Sequence, residues 1–483
     1  MTPIRIPNIA LDAIGPEIIL TITALLLLMI EVFADKKGRD HMGYIALAGA
    51  VFAGAFALRL AGVSVTTFAG LYVVDNFSTF FKVIFMISAG LTALISVKYA
   101  KDEGIDHGEY YAMILFATVG MCVMASGRDL ITIFMGVEVM SISLYVLAGM
   151  TRARLVSNEA SMKYFILGAL SSGFLLYGMA LVYGAAGTTQ LQAIGRAAGG
   201  LTGNYMFIAG AVMMTVGFAF KVGAVPFHMW APDVYQGSPA PVTAFMSTGP
   251  KAAAFAAFLR VFAEAFPAMK QEWWLVIWAL AVATMTMGNI VALVQNDVKR
   301  MLAYSSIAHA GYVLVGLAVG SPAGSSGAVF YLLAYAFMNL GAFTLLIVAA
   351  GKGERLTTYQ DFSGMGTRSP LVALALTIML FSLAGIPPTA GFAGKFYLFM
   401  SALEKGFVWL TVIAVINSVV SVFYYLRLVI HMYMREQDAD APSAVTVSAP
   451  LAVAAVVAVC AVLWLGILPS KYIEFAKAAF LPF

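Results

Sequence analysis

The sequence predicts an all-α integral membrane protein of about fourteen transmembrane helices. Three observations carry that reading. The chain is 61% hydrophobic, only 11% of its residues are charged, and long apolar runs follow one another from about residue 16 to about residue 468. A soluble domain carries about 25% charged residues. Too few polar side chains remain here to cover several water-soluble domains, so lipid must be the solvent.

Runs of about 17 or more apolar residues mark candidate spans. They lie near 16–33, 42–62, 74–97, 109–126, 129–150, 160–185, 203–226, 241–264, 273–295, 302–320, 325–350, 370–403, 408–434 and 449–468. Runs this long exceed a barrel strand, and a helix satisfies its own backbone inside lipid. The first run lacks a basic stretch directly before a short apolar core, so it reads as a span rather than a cleaved leader. The 44 glycines suit close helix packing in a bilayer.

Basic residues orient the spans. Lys36, Lys37, Arg39, Lys98, Lys101, Arg152, Arg154, Lys299, Arg300, Lys352, Arg355, Arg368 and Arg435 all fall on one side if the spans number fourteen. A thinner set, including Arg5, Arg59, Arg128, Arg196, Lys270 and Lys405, falls on the other. The positive-inside rule then places both termini outside the cytoplasm.

Two runs look broken. The stretch 370–403 would measure roughly 50 Å as one helix, against a hydrocarbon core of roughly 30 Å. Pro387, Pro388, Gly391 and Gly394 interrupt it. Span seven ends in Gly223 and Pro226. Proline frees a carbonyl, and lipid tolerates such a break only where protein or water surrounds it. The breaks lie an odd number of spans apart, so they run in opposite directions. That pattern predicts two inverted five-helix repeats, spans four to eight against nine to thirteen. The expected divisions are 1–108 (an N-terminal three-helix segment), 109–270 and 271–436 (the repeats) and 437–483 (a C-terminal helix).

Charges deep inside apolar spans are costly and point to function. Glu138, Lys221, Lys251 and Lys395 are such charges. Glu138 lies about 14 Å along its helix from Asp129, near the midplane. Burial disfavours the charged form of an acid and of a lysine, so both become able to exchange protons near neutral pH. A carboxylate beside a lysine holds the proton there, and weakening the pair releases it. A static ion pair, or for Lys395 a lysine reaching toward the interface, is the competing reading. Lys163 either links charges or reaches for the surface. His309 is either a relay or a satisfied histidine, as is His228. Lys82 and Asp75 read as lying toward the end of their segment, and Arg260 and Arg427 near interfaces.

Other chemistries find no support. The two cysteines, Cys122 and Cys460, lie in separate apolar runs without a C-x-x-C or C/H cluster, against iron–sulfur and structural zinc sites. No G-x-G-x-x-G follows a strand-like run. A net charge of +4 spread over many loops does not suggest nucleic-acid binding.

KVGAVPFHMWAPDVYQGSPAPVTAFMSTGPKAA, NDVKRMLAYSSIAHAGY and FSLAGIPPTAGFAGKF resemble signatures of one family. It is the antiporter-like membrane subunits of respiratory complex I and the Mrp-type cation/proton antiporters. The resemblance covers roughly 100–435 and implies fourteen helices with broken helices seven and twelve. By motif, Glu138 matches the family's fifth-helix glutamate, Lys221 the broken-helix lysine and Lys251 the eighth-helix lysine. Lys395 matches the twelfth-helix terminal charge, and His309 falls at the tenth-helix histidine position. One branch typically carries glutamate where Lys395 stands. Another has a long lateral helix and an extra span, which this sequence, ending at Phe483, is not expected to have. EASMKYFILGALSSGFLLYGMALVYG is similar to the subunit N branch.

The resemblance implies one proton channel of an NADH:quinone oxidoreductase, driven by redox chemistry in other subunits. It implies a bacterial inner membrane, other membrane and peripheral subunits as partners, internal water, and no cofactor or metal in this chain. An Mrp-type antiporter subunit is the alternative, and a purely structural membrane scaffold a third class. The isolated chain is expected to bind no flavin, iron or nucleotide. Stoichiometric flavin or iron in purified, partner-free protein would overturn that expectation.

Overall fold

Continuous apolar runs leave the backbone one way to satisfy itself in lipid, and the runs fold as helices. The structure is a computed structural model. It describes residues 10–33, 41–354, 357–436 and 446–479. Of the basic residues named above, Arg5, Lys36, Lys37, Arg39 and Arg355 lie outside the described residues.

Among the described residues, twelve helices are long and apolar enough to cross a membrane. The first five are Leu11–Phe33, Met42–Arg59, Asn76–Glu103, Gly108–Ser126 and Leu130–Ala148. Leu155–Ala186, Tyr205–Val222, Pro267–Leu293 and Val298–Val319 follow, then Pro322–Ala350, Val408–Met434 and Ala449–Ile467. Val298–Val319 has 94% of its apolar window buried, against 33% for Ala449–Ile467. The former is therefore an inner axis of the bundle and the latter lies at its margin. A short antiparallel hairpin pairs Val65–Thr67 with Tyr72–Val74, and an extra helix, Ser470–Ala478, follows the last span. The apolar pattern predicted neither.

Both predicted breaks are present. Tyr205–Val222 stops at Gly223 before the short helix Trp230–Gly237. Pro370–Ala384 stops at Gly385 before Ala390–Glu404. The two glycines take the left-handed conformation, with φ of 76° and 88°. Ala224 N–H donates to Ala219 O at 2.8 Å, and Ile386 N–H donates to Phe381 O at 2.9 Å. Each half-helix thus ends in the same glycine-dependent closure.

A third break was not foreseen. The expected single span 241–264 is two helices, Ala240–Met246 and Gly249–Glu264. Thr248 has a non-helical backbone. Pro250 lacks an N–H, and the Ser247 and Thr248 hydroxyls both donate to Ala244 O at 2.9 Å. Proline and back-bonding hydroxyls together compete with the helix at this point.

The repeats share another feature. Asp129 caps Leu130–Ala148, accepting from Ile131 N–H at 2.9 Å and from Thr189 Oγ1 at 2.5 Å. Asp297 caps Val298–Val319, accepting from Arg300 N–H at 2.7 Å and from Thr357 Oγ1 at 2.6 Å. The same interval separates Asp129 from Thr189 and Asp297 from Thr357. Bridges join Asp129 to Gln190 and Asp297 to Thr358.

Arg260 stands one turn before the end of Gly249–Glu264. It is fully buried, with Nη1 2.9 Å from both Asp75 and Glu264, and its Nε donates to Ala125 O at 3.0 Å. Arg128 completes the group at 2.9 Å from Glu264. Both oxygens of the Asp75 carboxylate are within 2.9 Å of the Arg260 guanidinium. Lys82 is also enclosed, 2.9 Å from Glu17 and donating to Tyr72 Oη at 2.8 Å. Arg260→Met should therefore leave Asp75 without its cation, Glu264 keeping only Arg128, and cost about 3–5 kcal/mol. Asp129→Ala, the loss of a cap, should cost about 0.5–2 kcal/mol. Thermal unfolding of both variants in mild detergent checks the order, and a smaller loss for Arg260→Met would overturn it.

Candidate functional site

Lys221, Lys251 and Lys395 sit on helices that the three breaks end or begin, and Glu138 on the unbroken Leu130–Ala148. Lys221 is one residue from the end of Tyr205–Val222, which Gly223 stops inside the bundle. Its Nζ donates to Ser141 Oγ at 2.8 Å. Glu138 stands one turn before Ser141 on Leu130–Ala148, and its Oε1 is buried without a hydrogen-bond partner. Glu138 and Lys221 thus form no direct ion pair among the described residues. The Ser141 hydroxyl takes the ammonium instead.

Lys251 is 4% exposed on Gly249–Glu264, near the third break. Its Nζ donates to Ser306 O at 2.8 Å and to Ser306 Oγ. Ser306, His309 and Tyr312 follow one another at successive turns of Val298–Val319. His309 is 2% exposed, with Nδ1 2.5 Å from Tyr331 Oη and Nε2 3.2 Å from Tyr425 Oη. Lys395 Nζ lies 5.0 Å from the Tyr312 ring centroid. It donates to Leu383 O at 3.0 Å, Ala384 O at 2.9 Å and Ser418 Oγ at 2.9 Å.

The two carbonyls that hold Lys395 are those freed by the break after Ala384. At the first break, Trp230 Nε1 donates to Phe220 O at 3.0 Å, and Val225 N–H donates to Thr284 Oγ1 at 3.0 Å. One interruption is thus closed by an indole and the other by an ammonium.

Lys251, Ser306, His309, Tyr312 and Lys395 therefore form one buried polar row, and Lys221 with Glu138 stands before it. No hydrogen bond or ion pair among the described residues joins Lys221 to Lys251. Lys163 is outside the row. Its side chain is 42% exposed and 2.8 Å from Asp233 and 2.7 Å from Glu159. It faces a polar cavity of about 420 Å³ lined also by Arg154, Asp233, Asp297, Lys299 and Glu354. His228 is likewise absent from the row, with its Nδ1 unbonded.

Sequence reading missed Ser141 and Ser306, because serines in apolar helices are common and give no charge signal. Both matter here as hydroxyls that accept from an ammonium and can pass a proton on. The Glu31, His107 and Glu109 side chains bring ligand atoms within 4.8 Å of one another. Glu31 is already used, accepting from Gly108 N–H at 2.9 Å and lying 3.6 Å from His107 Nδ1.

Broken helices around buried lysines in a multi-pass bundle define a class of ion-translocating membrane subunits. The family model described as NADH:quinone oxidoreductase/Mrp antiporter, TM, matches residues 127–421, and the chain belongs to that family. NADH-quinone oxidoreductase subunit N of Trichlorobacter lovleyi is 52% identical over 476 residues, covering 98% of this chain and 97% of that one. A chain of respiratory complex I from Thermus thermophilus, solved with bound aureothin, is 34% identical with a TM-score of 0.81, covering 96% and 99%. A chain of the Mrp complex from Dietzia sp. has a TM-score of 0.86 at 22% identity, covering 98% and 97%, a likeness of fold alone.

Ser141→Ala removes the hydroxyl that holds Lys221. Coupled turnover of the assembled complex should fall several-fold without loss of assembly. Wild-type turnover in that variant would remove Ser141 from the site.

Proposed function

We propose that this chain is the proton-translocating, antiporter-like subunit N of an NADH:quinone oxidoreductase. One observation carries the reading. Lys221, Lys251 and Lys395 are at most 7% exposed and are held only by hydroxyls and carbonyls. Every other buried lysine or arginine named above, Lys82, Arg260 and Lys299, is paired with a carboxylate. A buried cation without an anionic partner is costly, and a lysine escapes that cost by losing its proton. Hydroxyl and carbonyl partners tolerate the neutral amine as well as the ammonium.

In this reading Glu138 favours the proton on Lys221, and Lys251, Ser306 and His309 carry it inward. Lys395 is the terminal site toward the outer face. Lys163 belongs to the surface cavity, where it helps collect protons. The energy comes from electron transfer in partner subunits, both membrane and peripheral, and this chain holds no flavin, iron–sulfur cluster or other cofactor. The separate, unclustered cysteines support that assignment. The matched caps at Asp129 and Asp297 support a first repeat over 109–270 and a second over 271–436, flanked by 1–108 and 437–483. The basic loop residues favour both termini on the periplasmic side of a bacterial inner membrane. The 52% identical relative favours the quinone-reducing assembly over an Mrp antiporter, where the likeness is one of fold.

Lys221→Arg separates a relay from a fixed charge. Arginine keeps the charge and roughly the reach, but with a pKa above about 12 it effectively cannot deprotonate. Pumping in sealed vesicles should fall nearly as far with Lys221→Arg as with Lys221→Ala. Near-normal pumping by a well-assembled arginine variant would make Lys221 a static counter-charge.

A further inference from the structure

Glu354 lies on the loop after Pro322–Ala350, outside every span, yet its side chain is only 8% exposed. It holds φ of 48°, a left-handed conformation that a glutamate rarely adopts. Such backbone strain persists only where surrounding contacts impose it. Four elements do so here. Tyr99 Oη, from Asn76–Glu103, donates to Glu354 Oε1. Ala240 N–H, at the start of Ala240–Met246, donates to the same oxygen at 2.7 Å. Lys299 Nζ, from Val298–Val319, donates to Oε2 at 2.7 Å, and Arg154 Nη1 stands 4.0 Å from that atom. The adjoining Gly353 is held as well, its N–H donating to Glu103 Oε1 at 2.7 Å and its carbonyl accepting from Arg154.

These contacts form one wall of the 420 Å³ polar cavity. Lys299 is clamped there between Glu354 and Ser238 O, to which it donates at 2.5 Å. Ser306, the partner of Lys251, lies seven residues further along the same helix. That is two turns, about 10 Å, and the same helix face. The Tyr235 and Tyr335 side chains lie beside Ser306. The Lys299–Glu354 contact thus lines the cavity two helical turns from Ser306, the residue that holds Lys251.

We propose that the Glu354–Lys299 pair is a gate between the polar cavity and the Lys251 site, with Glu354 the positioning residue that closes it behind an arriving proton. The inference rests on the relay reading above. Opening requires only that Lys299 leave Glu354 and Ser238, so no bond other than hydrogen bonds changes. Closure keeps a proton that has reached Lys251 from returning to the cavity. Burial alone would raise the Glu354 carboxyl, but the Lys299 charge and the hydrogen bonds from Lys299, Tyr99 and Ala240 hold it below the usual carboxylate range. The carboxylate is thus ionised, and the gate closed at rest, throughout neutral pH.

The test uses the whole complex carrying Glu354→Gln in sealed vesicles. Glutamine keeps the size of the side chain and can still accept from Ala240, but it loses the charge that clamps Lys299. Quinone reduction should continue while the ratio of protons pumped to electrons transferred falls by this chain's share. A merely structural role would lower reduction and pumping together at a constant ratio, and that result, or an unchanged ratio, overturns the gate. If the glutamine variant fails to assemble, Glu354→Asp replaces it. The shorter carboxylate cannot reach Lys299 and Ala240 together, so a smaller fall in the same ratio is expected, and a full ratio overturns the gate. Lys221→Ala run in parallel separates the two readings. Normal pumping there sinks the relay and the gate with it, whereas impaired pumping beside a full ratio in the Glu354 variant sinks the gate alone.

Discussion

The cost of a charge in a low-dielectric interior governs this structure. A buried cation must either be matched by an anion or be able to become neutral. The chain uses both solutions, in different places. Arg260 and Lys82 are matched, and they fasten helices together. Lys221, Lys251 and Lys395 are surrounded by neutral oxygens instead. The arginine cannot shed its proton, and it is the cation with two carboxylates beside it. Chemistry of the side chain and character of the partner thus agree at each position.

Neutral oxygens have to come from somewhere in an apolar bundle. The interruption after Ala384 supplies two of them, and serines on the unbroken helices Leu130–Ala148 and Val298–Val319 supply others. A continuous helix spends its carbonyls on its own ladder, whereas a broken one leaves the last turn unsatisfied. Lys395 takes up two such carbonyls directly. Lys221 and Lys251 sit within a few residues of the other breaks and reach serine hydroxyls on neighbouring helices. The glycines at 223 and 385 make the interruptions compact, because the left-handed turn lets the chain reverse without a long loop.

Much of this was legible in the sequence because lipid leaves few alternatives. Apolar runs gave the helices, and Pro387, Pro388 and Pro226 marked two of the breaks. The deep charges stood out against their surroundings, and four of the six named candidates, Lys221, Lys251, Lys395 and His309, are buried as expected. The break at Thr248 was hidden because Gly249 and Pro250 begin a helix as readily as they end one. For Lys163 the sequence left linking charges and reaching for the surface open, and its side chain is 42% exposed beside Asp233 and Glu159. Contacts such as Tyr99 to Glu354, or Asp75 to Arg260, join residues far apart in the chain. No local pattern announces them, and Glu354 in particular reads as an ordinary loop acid.

The cluster of Asp75, Arg128, Arg260 and Glu264 holds two acids and two bases in mutual contact. Its members come from different parts of the chain, and replacing Arg260 alone strands Asp75 while replacing Glu264 alone strands Arg128. Divergence at these positions should therefore be correlated rather than independent. A lineage could change them only in compensating pairs, or through an intermediate already stable enough to bear the mismatch. The group restricts which evolutionary paths are open to this fold, even though it lies outside the buried row of lysines.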